Sequence, residues 1–274
     1  MNDPTPMSPQ VFAIMSGLIE EKLGLYYDVS QLDILAERVG SRAAEAGFDS
    51  LLDYYYYLRY DPGAETELQL LVEHLVIGET YFFRERRQLQ VAVDDFIAPA
   101  IEMGARPRVW SAACATGEEI FSLATILAER RWLDEVDLFA SDISAAALAR
   151  ARTGRFPRRS LRDALPPEAD RFIKREGDHV IVDPTIVGAV QFVRLNLLDS
   201  GAVTALPSFD VVLCRNVLIY FREGTVVRAV DSLCRKLKPG GALFVGISES
   251  LLRFETTLAC EERGGVFVYR KGEL

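Results

Sequence analysis

Cysteine, histidine and basic charge are all scarce in this chain of 274 residues. The four cysteines, Cys114, Cys214, Cys234 and Cys260, form no CxxC pair and show no metal-ligand spacing. Only His74 and His179 could add to them, and they stand far apart, so no metal site is expected and both read as ordinary residues. No run of about 18 apolar residues occurs, which argues against a membrane-spanning helix. The opening MNDPTPMSPQ lacks a basic stretch followed by an apolar one, so no signal peptide is expected and a reducing cytoplasm is the default. Lys and Arg total 31 against 40 Asp and Glu, a formal net charge of −9. That balance disfavours broad attraction to nucleic acid or anionic lipid, although a local basic face stays compatible with it. No Ser-His-Asp or Cys-His arrangement suggests covalent catalysis.

What is present divides by period. Val11, Met15, Leu18, Ile19 and Leu23 recur at helical steps up to Gly24. A second helix is expected from Gln31 to Ala46, with Leu32, Leu35, Ala36 and Val39 inward and Arg38 and Arg42 one turn apart. Ser50 reads as a cap for Leu51 to Arg59, and after Asp61-Pro62 a further helix runs from Glu65 to Val76. Beyond it the pattern alternates between strand and helix. Strands are expected at Arg108–Ala112, Val136–Ser141, Val190–Leu195, Phe209–Cys214 and Ala242–Ile247, with helices at Ile120–Leu127, Ala145–Arg152 and Thr225–Leu237. Lys238-Pro239-Gly240-Gly241 reads as punctuation, and Leu258–Cys260 and Val266–Tyr269 as closing strands around a polar turn. Such alternation builds a parallel sheet covered by helices on both faces. Arg171–Lys174 and His179–Val182, flanking Glu176-Gly177-Asp178, suggest a small antiparallel lobe inserted in it.

The chemistry-bearing pieces lie at the ends of the expected strands. Ala113-Cys114-Ala115-Thr116-Gly117 followed by Glu118-Glu119 is a strand-to-helix turn of nucleotide-binding type, with Gly117 permitting close backbone approach. Two acids there oppose a phosphate but suit a ligand carrying an ammonium and a sulfonium, which points to S-adenosylmethionine rather than a nicotinamide. Asp142 ends the next strand, where a carboxylate accepts ribose hydroxyls, while Ser144 can cap the following helix. Asn196, at the end of a further strand, can read adenine or order its loop. Arg215, Asn216 and Tyr220 flank the same crevice. In Gly78-Glu79-Thr80-Tyr81-Phe82-Phe83-Arg84 two of the three aromatics read as packing residues, whereas Arg84 can hold a carboxylate bidentately for in-line attack. Methyl transfer to an ionised carboxylate needs alignment above all, so a missing catalytic base counts for little.

At these residues the chain resembles the CheR-type chemoreceptor glutamate methyltransferases. The resemblance spans nearly the whole chain and is carried by GETYFFRE at 78–85, VWSAACATGEE at 109–119, ASD at 140–142, RLNLLD at 194–199, CRNVLIYF at 214–221 and LKPGGALFVGISES at 237–250. It implies a Rossmann-like α/β methyltransferase domain with an inserted three-stranded antiparallel β-subdomain, preceded by a small all-helical domain. The expected boundaries are a receptor-recognition domain over 1–76, a linker and first helix over 77–106, and a catalytic domain over 107–274 with the lobe at about 168–192. It further implies that Thr80 and Arg84 sit near the methyl group and the acceptor, and that Glu118 contacts the methionine moiety. Asp142 is expected at the ribose, Asn196 and Leu197 by the adenine, and Arg215, Asn216 and Tyr220 lining the active site. Arg38 and Arg42 fall on the helix that presents basic residues to the acidic helical bundle of the receptor.

Three departures from the family pattern stand out: Gly78 where an Asn is common, Ile120 where a Pro is common, and Ile247 in place of a histidine. The turn at Glu176-Gly177-Asp178 is short, and a longer one accompanies binding of a C-terminal receptor pentapeptide, so no dependence on that tether is expected. A monomer is expected, with S-adenosylhomocysteine the ligand to copurify. The alternatives are a methyltransferase for another signalling protein, or a module that binds S-adenosylmethionine or S-adenosylhomocysteine without turnover.

Overall fold

The computed structural model describes residues 7–273. Their backbone contacts divide into two compact units, residues 7–77 with Tyr220–Thr225, and Gly78–Ile219 with the remainder from Val226.

The first unit holds helices α1 (Pro9–Leu23), α2 (Leu32–Glu45), α3 (Leu51–Tyr60) and α4 (Ala64–Leu75). Ser8 accepts from Val11 N–H at the start of α1, and Gly24 closes it in the left-handed region, as the sequence suggests. Ser50 caps α3 by accepting from Asp53 N–H. Met15, Ile19, Leu35, Leu58 and Leu71 are fully buried and form the apolar centre. A polar brace crosses it. Arg42 donates through Nε and Nη2 to both oxygens of Glu67, at 2.6 and 2.9 Å, and the Tyr54 hydroxyl donates to the same carboxylate at 2.7 Å. Arg38 donates to the Leu75 carbonyl at 2.9 Å. Burial pushes the Glu67 carboxyl up, but the bonds from Arg42 and Tyr54 outweigh it and leave it below the ordinary value. The segment Tyr220–Thr225 belongs to this unit. Tyr26 N–H donates to the Tyr220 carbonyl, Leu25 pairs with Phe221, and the Arg222 guanidinium lies 4.0 Å from the Tyr26 ring centroid.

The second unit opens with α5 (Arg86–Ala92), a π-helical turn at Val93–Ile97, and α6 (Ala98–Glu102). Pro99, which has no N–H to give the preceding turn, stands at the start of α6 and accounts for the widened turn. The sheet strands are β1 (Arg108–Ala112), β2 (Asp137–Asp142), β6 (Val190–Arg194), β7 (Phe209–Cys214), β8 (Leu237–Val245), β9 (Leu258–Arg263) and β10 (Val266–Lys271). Their order is β6-β2-β1-β7-β8-β10-β9, parallel except where β10 pairs antiparallel with β8 and β9. Strand order reverses beside β1, where open α/β sheets bind ligands at their carboxyl edge. The covering helices include α7 (Glu118–Glu129), α8 (Ala145–Thr153), α9 (Pro184–Gly188), α10 (Ser200–Ala205) and α11 (Glu223–Lys236). Every residue of α7 from Ile120 to Leu127 is buried, so it is enclosed on all sides rather than amphipathic.

The inserted lobe is a second sheet of three strands, β3 (Arg155–Pro157), β5 (His179–Val182) and β4 (Ile173–Glu176). It therefore begins before residue 168: β3 is too short to show a period in the sequence. Glu176 pairs directly with His179, so Gly177 and Asp178 make a two-residue turn. The Lys238–Gly241 run does not end a strand either. It lies within β8 as an irregularity, with register passing from Phe209 opposite Leu237 to Val211 opposite Ala242. No helix among the described residues is long and apolar enough to cross a membrane.

Arg42→Ala leaves the Glu67 carboxylate buried without its cation and is expected to cost about 1.5–3 kcal/mol in urea denaturation at neutral pH. Because the Glu67 pKa is lowered on folding, this stabilisation is present above the ordinary carboxylate value and lost as pH falls through the folded one. Wild type and variant should therefore converge in acid.

Candidate functional site

The loop after β1 is built from backbone that few side chains accept. Ala113 and Ala115 sit at φ 60° and 48°, and Gly117 at φ 93°. A Cβ on Gly117 would also meet the Phe121 ring at 3.0 Å and the Ala151 Cβ at 3.2 Å, so glycine is required there twice over. The strained turn is strapped to the neighbouring strand end. Cys114 N–H donates to the Ser141 carbonyl, and Ala115 N–H donates to Asp142 Oδ2 at 2.8 Å. The other Asp142 oxygen accepts from Ser144 N–H, while Ser144 Oγ caps α8 as expected. Leu195 N–H donates to the Asp142 carbonyl, which brings the β6 end alongside. There Asn196 Oδ1 accepts from Leu198 N–H at 3.0 Å in a local turn, and Leu197 is buried. Ala113, Gly117, Glu118, Asp142, Asn196 and Leu197 thus share one edge of the sheet.

The two acids that open α7 have different partners. Glu119 accepts from Ser111 Oγ at 2.7 Å and from Arg215 Nη1 at 2.9 Å. Glu118 is buried and takes its hydrogen bonds from two hydroxyls, Thr116 at 2.6 Å and Ser160 at 2.9 Å. Burial pushes its carboxyl above the ordinary value, against those bonds. A buried carboxylate whose side-chain hydrogen-bond donors are neutral hydroxyls suits a ligand bringing a cation, and two acids at this helix start repel a pyrophosphate. The donor set therefore fits S-adenosylmethionine. No cluster suited to a metal occurs among the described residues.

The segment carrying Thr80 and Arg84 is fastened to this loop at several points. Phe82 N–H donates to the Ser160 carbonyl, and Phe83 N–H to Ser122 Oγ, which in turn donates to the Glu118 carbonyl at 2.6 Å. Phe82 is a core residue whose ring meets Phe156 edge-on at 5.0 Å. Arg84 Nη1 donates to the Glu79 carbonyl at 3.2 Å, and its guanidinium lies 5.6 Å from the Tyr81 ring centroid. Its own carbonyl accepts from Arg215 Nη2 at 2.6 Å.

Arg215 is the centre of this arrangement. Its side chain is 1% exposed and pairs with Glu85 at 3.1 Å as well as with Glu119. Its two Nη groups are engaged by protein acceptors, while its buried Nε has no hydrogen-bond partner. Asn216, at φ 62°, donates its N–H to Glu249 Oε2 at 2.7 Å and its side-chain amide to Glu85 at 3.4 Å. Glu249 also accepts from Gly246 N–H at 2.7 Å and Ile219 N–H at 3.2 Å. A Cβ on Gly246 would come within 2.5 Å of the Asn216 amide, so the glycine keeps these loops closed together. Burial lifts the Glu249 carboxyl, and the backbone donors pull against it.

Glu85, Ser122, Ser160 and Glu249 are contributors that sequence reasoning passed over. Only Glu85 and Glu249 lay inside motifs already singled out, and their roles depend on pairing with distant residues, Arg215 for Glu85 and Asn216 for Glu249. Tyr220 belongs to the helical unit by its backbone contacts. Arg38 and Arg42, expected on a basic docking face, have their guanidiniums engaged inside the helical unit, where buried acceptors await them. The three departures are readily accommodated. Nothing lies within 4 Å of a Cβ at Gly78, Ile120 fills the core, and Ile247 is 75% exposed and uses only its N–H, toward Glu85.

Residues 78–264 match the family described as CheR methyltransferase, SAM binding domain. Chemotaxis protein methyltransferase 2 of Vibrio cholerae is 34% identical over 244 residues, covering 86% of this chain and 84% of that protein. The chemotaxis protein methyltransferase of Escherichia coli is 32% identical over 267 residues, 93% and 89% of the two chains. A probable biofilm formation methyltransferase of Pseudomonas aeruginosa is 31% identical over 242 residues, 86% of this chain and 56% of that protein. With its sheet-edge loops, its inserted lobe and these matches, the chain belongs to the CheR methyltransferase family and is an S-adenosylmethionine-dependent methyltransferase.

Proposed function

We propose that the chain methylates the side-chain carboxylate of glutamates in the cytoplasmic helical bundle of a chemoreceptor, giving glutamate 5-O-methyl ester and S-adenosylhomocysteine. The observation that carries this reading is the fusion of two segments into one hydrogen-bonded piece. The Arg84 segment and the Glu118 loop share Ser122, Ser160 and Arg215 as common anchors. Residues that hold an acceptor carboxylate and residues that hold a methyl donor are then fixed in mutual register, which is what an in-line displacement requires.

In this reading Glu118 meets the ammonium end of the donor, Asp142 accepts the ribose hydroxyls, and Asn196 with Leu197 borders the adenine. When bound, S-adenosylmethionine supplies a methyl group already activated by its sulfonium. Arg84 orients the acceptor carboxylate with Thr80 beside it, while Asn216 and Arg215 keep the surrounding loops in place. Tyr220 is assigned to the acceptor side by the family resemblance alone. Arg38 and Arg42 serve docking by bracing α2 against α4, and the helical unit supplies the receptor-facing surface. The two-residue turn at Gly177-Asp178 supports recognition without a pentapeptide tether. We take the chain to act as a cytoplasmic monomer, with neither nucleic acid nor membrane insertion in its role.

Transfer of radiolabelled methyl to membranes bearing the organism's chemoreceptors should give base-labile label on a receptor. Arg84→Ala should lower the rate by at least about a hundredfold while cofactor binding persists. Label on no receptor, with cofactor binding intact, would turn the assignment to another acceptor or to a sensor. Cofactor affinity should also fall as pH drops through the raised Glu118 value, because a cation prefers the ionised carboxylate. Calorimetric titration should show that dependence in wild type and its loss in Glu118→Gln.

A further inference from the structure

Arg84 stands in a charged cluster whose other members, Glu79 and Arg162, have no role assigned so far. The Tyr81 ring is shared by two guanidiniums, Arg84 at 5.6 Å from its centroid and Arg162 at 4.4 Å. Both are held by one residue. The Glu79 main-chain oxygen accepts from Arg84, and the Glu79 carboxylate is ion-paired with Arg162. Arg162 and Glu79 keep 50% and 60% of their side chains exposed, so water competes for the pair and exchange of partners is cheap. Two cations stand here with the Glu79 carboxylate, and Asp163 also acts on Arg162. Arg155, Arg158 and Arg159, a few residues earlier in the chain, are exposed as well. A glutamate side chain resting on Arg162, beside the arginine assigned to the acceptor, presents the same functional group as the proposed substrate.

We propose that Arg162 is a second carboxylate-binding residue at the acceptor end of the site, and that Glu79 is its resident counter-ion. A receptor segment carrying another acidic side chain near the acceptor glutamate displaces Glu79 and gains the Arg162 contact. The preferred substrate is then an acidic helix surface with neighbouring carboxylates, rather than an isolated glutamate. This inference rests on the assignment of Arg84 to the acceptor.

The test is steady-state methyl transfer by the full chain to a purified cytoplasmic fragment of a chemoreceptor from the same organism, with KM for the fragment and kcat separated. Arg162→Gln should raise KM about three- to fivefold, the range of one exposed charge pair, with kcat changed less than about twofold. Arg162→Lys should recover part of the loss. Glu79→Gln should shift KM the other way, to a lower value, because it removes the internal competitor. If Arg162→Gln leaves KM unchanged, or if both substitutions raise it alike, the pair is a surface brace and the inference falls while glutamate methylation stands. If wild type labels no receptor fragment although it binds S-adenosylmethionine, the glutamate assignment fails and this inference with it.

Discussion

A buried guanidinium with nowhere to go except two carboxylates holds this catalytic unit together. Removing the Arg215 charge from water costs several kcal/mol unless it is paired, and its position makes sense only while Glu85 and Glu119 stay in reach. Glu119 ties it to the first turn of α7, and therefore to the bend that precedes that helix. Glu85 ties it to the segment before α5, and the same carboxylate reaches Asn216 and Ile247. Loops following β1, β7 and β8 thus depend on one charge balance. Without the arginine, two acids would be left close together in a dry environment.

That balance has strain to contain. Non-glycine residues with positive φ cost of order 1–3 kcal/mol each. Apart from Arg131, every such residue among the described ones lies around this hub: Phe83, Glu85, Ala113, Ala115 and Asn216. Four of these five are held by a bond to another part of the chain: Phe83 by Ser122, Glu85 by Arg215, Ala115 by Asp142 and Asn216 by Glu249. The energy of the ion pairs is spent on conformations that an isolated loop would abandon.

How much of this could be read from the residues depends on the distance over which each is determined. The helices of the first unit and the main strands declare themselves through local period and caps, as Ser50 and Ser144 show. The strand-end residues Gly117, Asp142 and Asn196 were legible because a parallel sheet must deliver them to one edge. Long-range pairing was not legible. Glu249 acts by receiving backbone N–H groups from residues some thirty positions earlier, and no spacing rule marks such an acceptor. The acceptors that Arg38 and Arg42 meet on α4 were not legible because helical spacing reveals neighbours on one helix only. β3 and the irregular stretch of β8 were missed for the opposite reason: three residues or a Pro-Gly-Gly run carry too little pattern, and the pairing strand decides.

The membership of Tyr220–Thr225 in the helical unit bears on how the chain is made. During synthesis the four N-terminal helices leave the ribosome first, and most of the second unit must follow before their last structural piece arrives. Until then Tyr26 lacks the carbonyl that receives its N–H, and Leu25 lacks its pairing strand. The amino-terminal unit therefore gains these last pairings only after that later segment has been made. Its final form is reached only when the later polypeptide returns to it, which links the completion of one unit to the near-completion of the other.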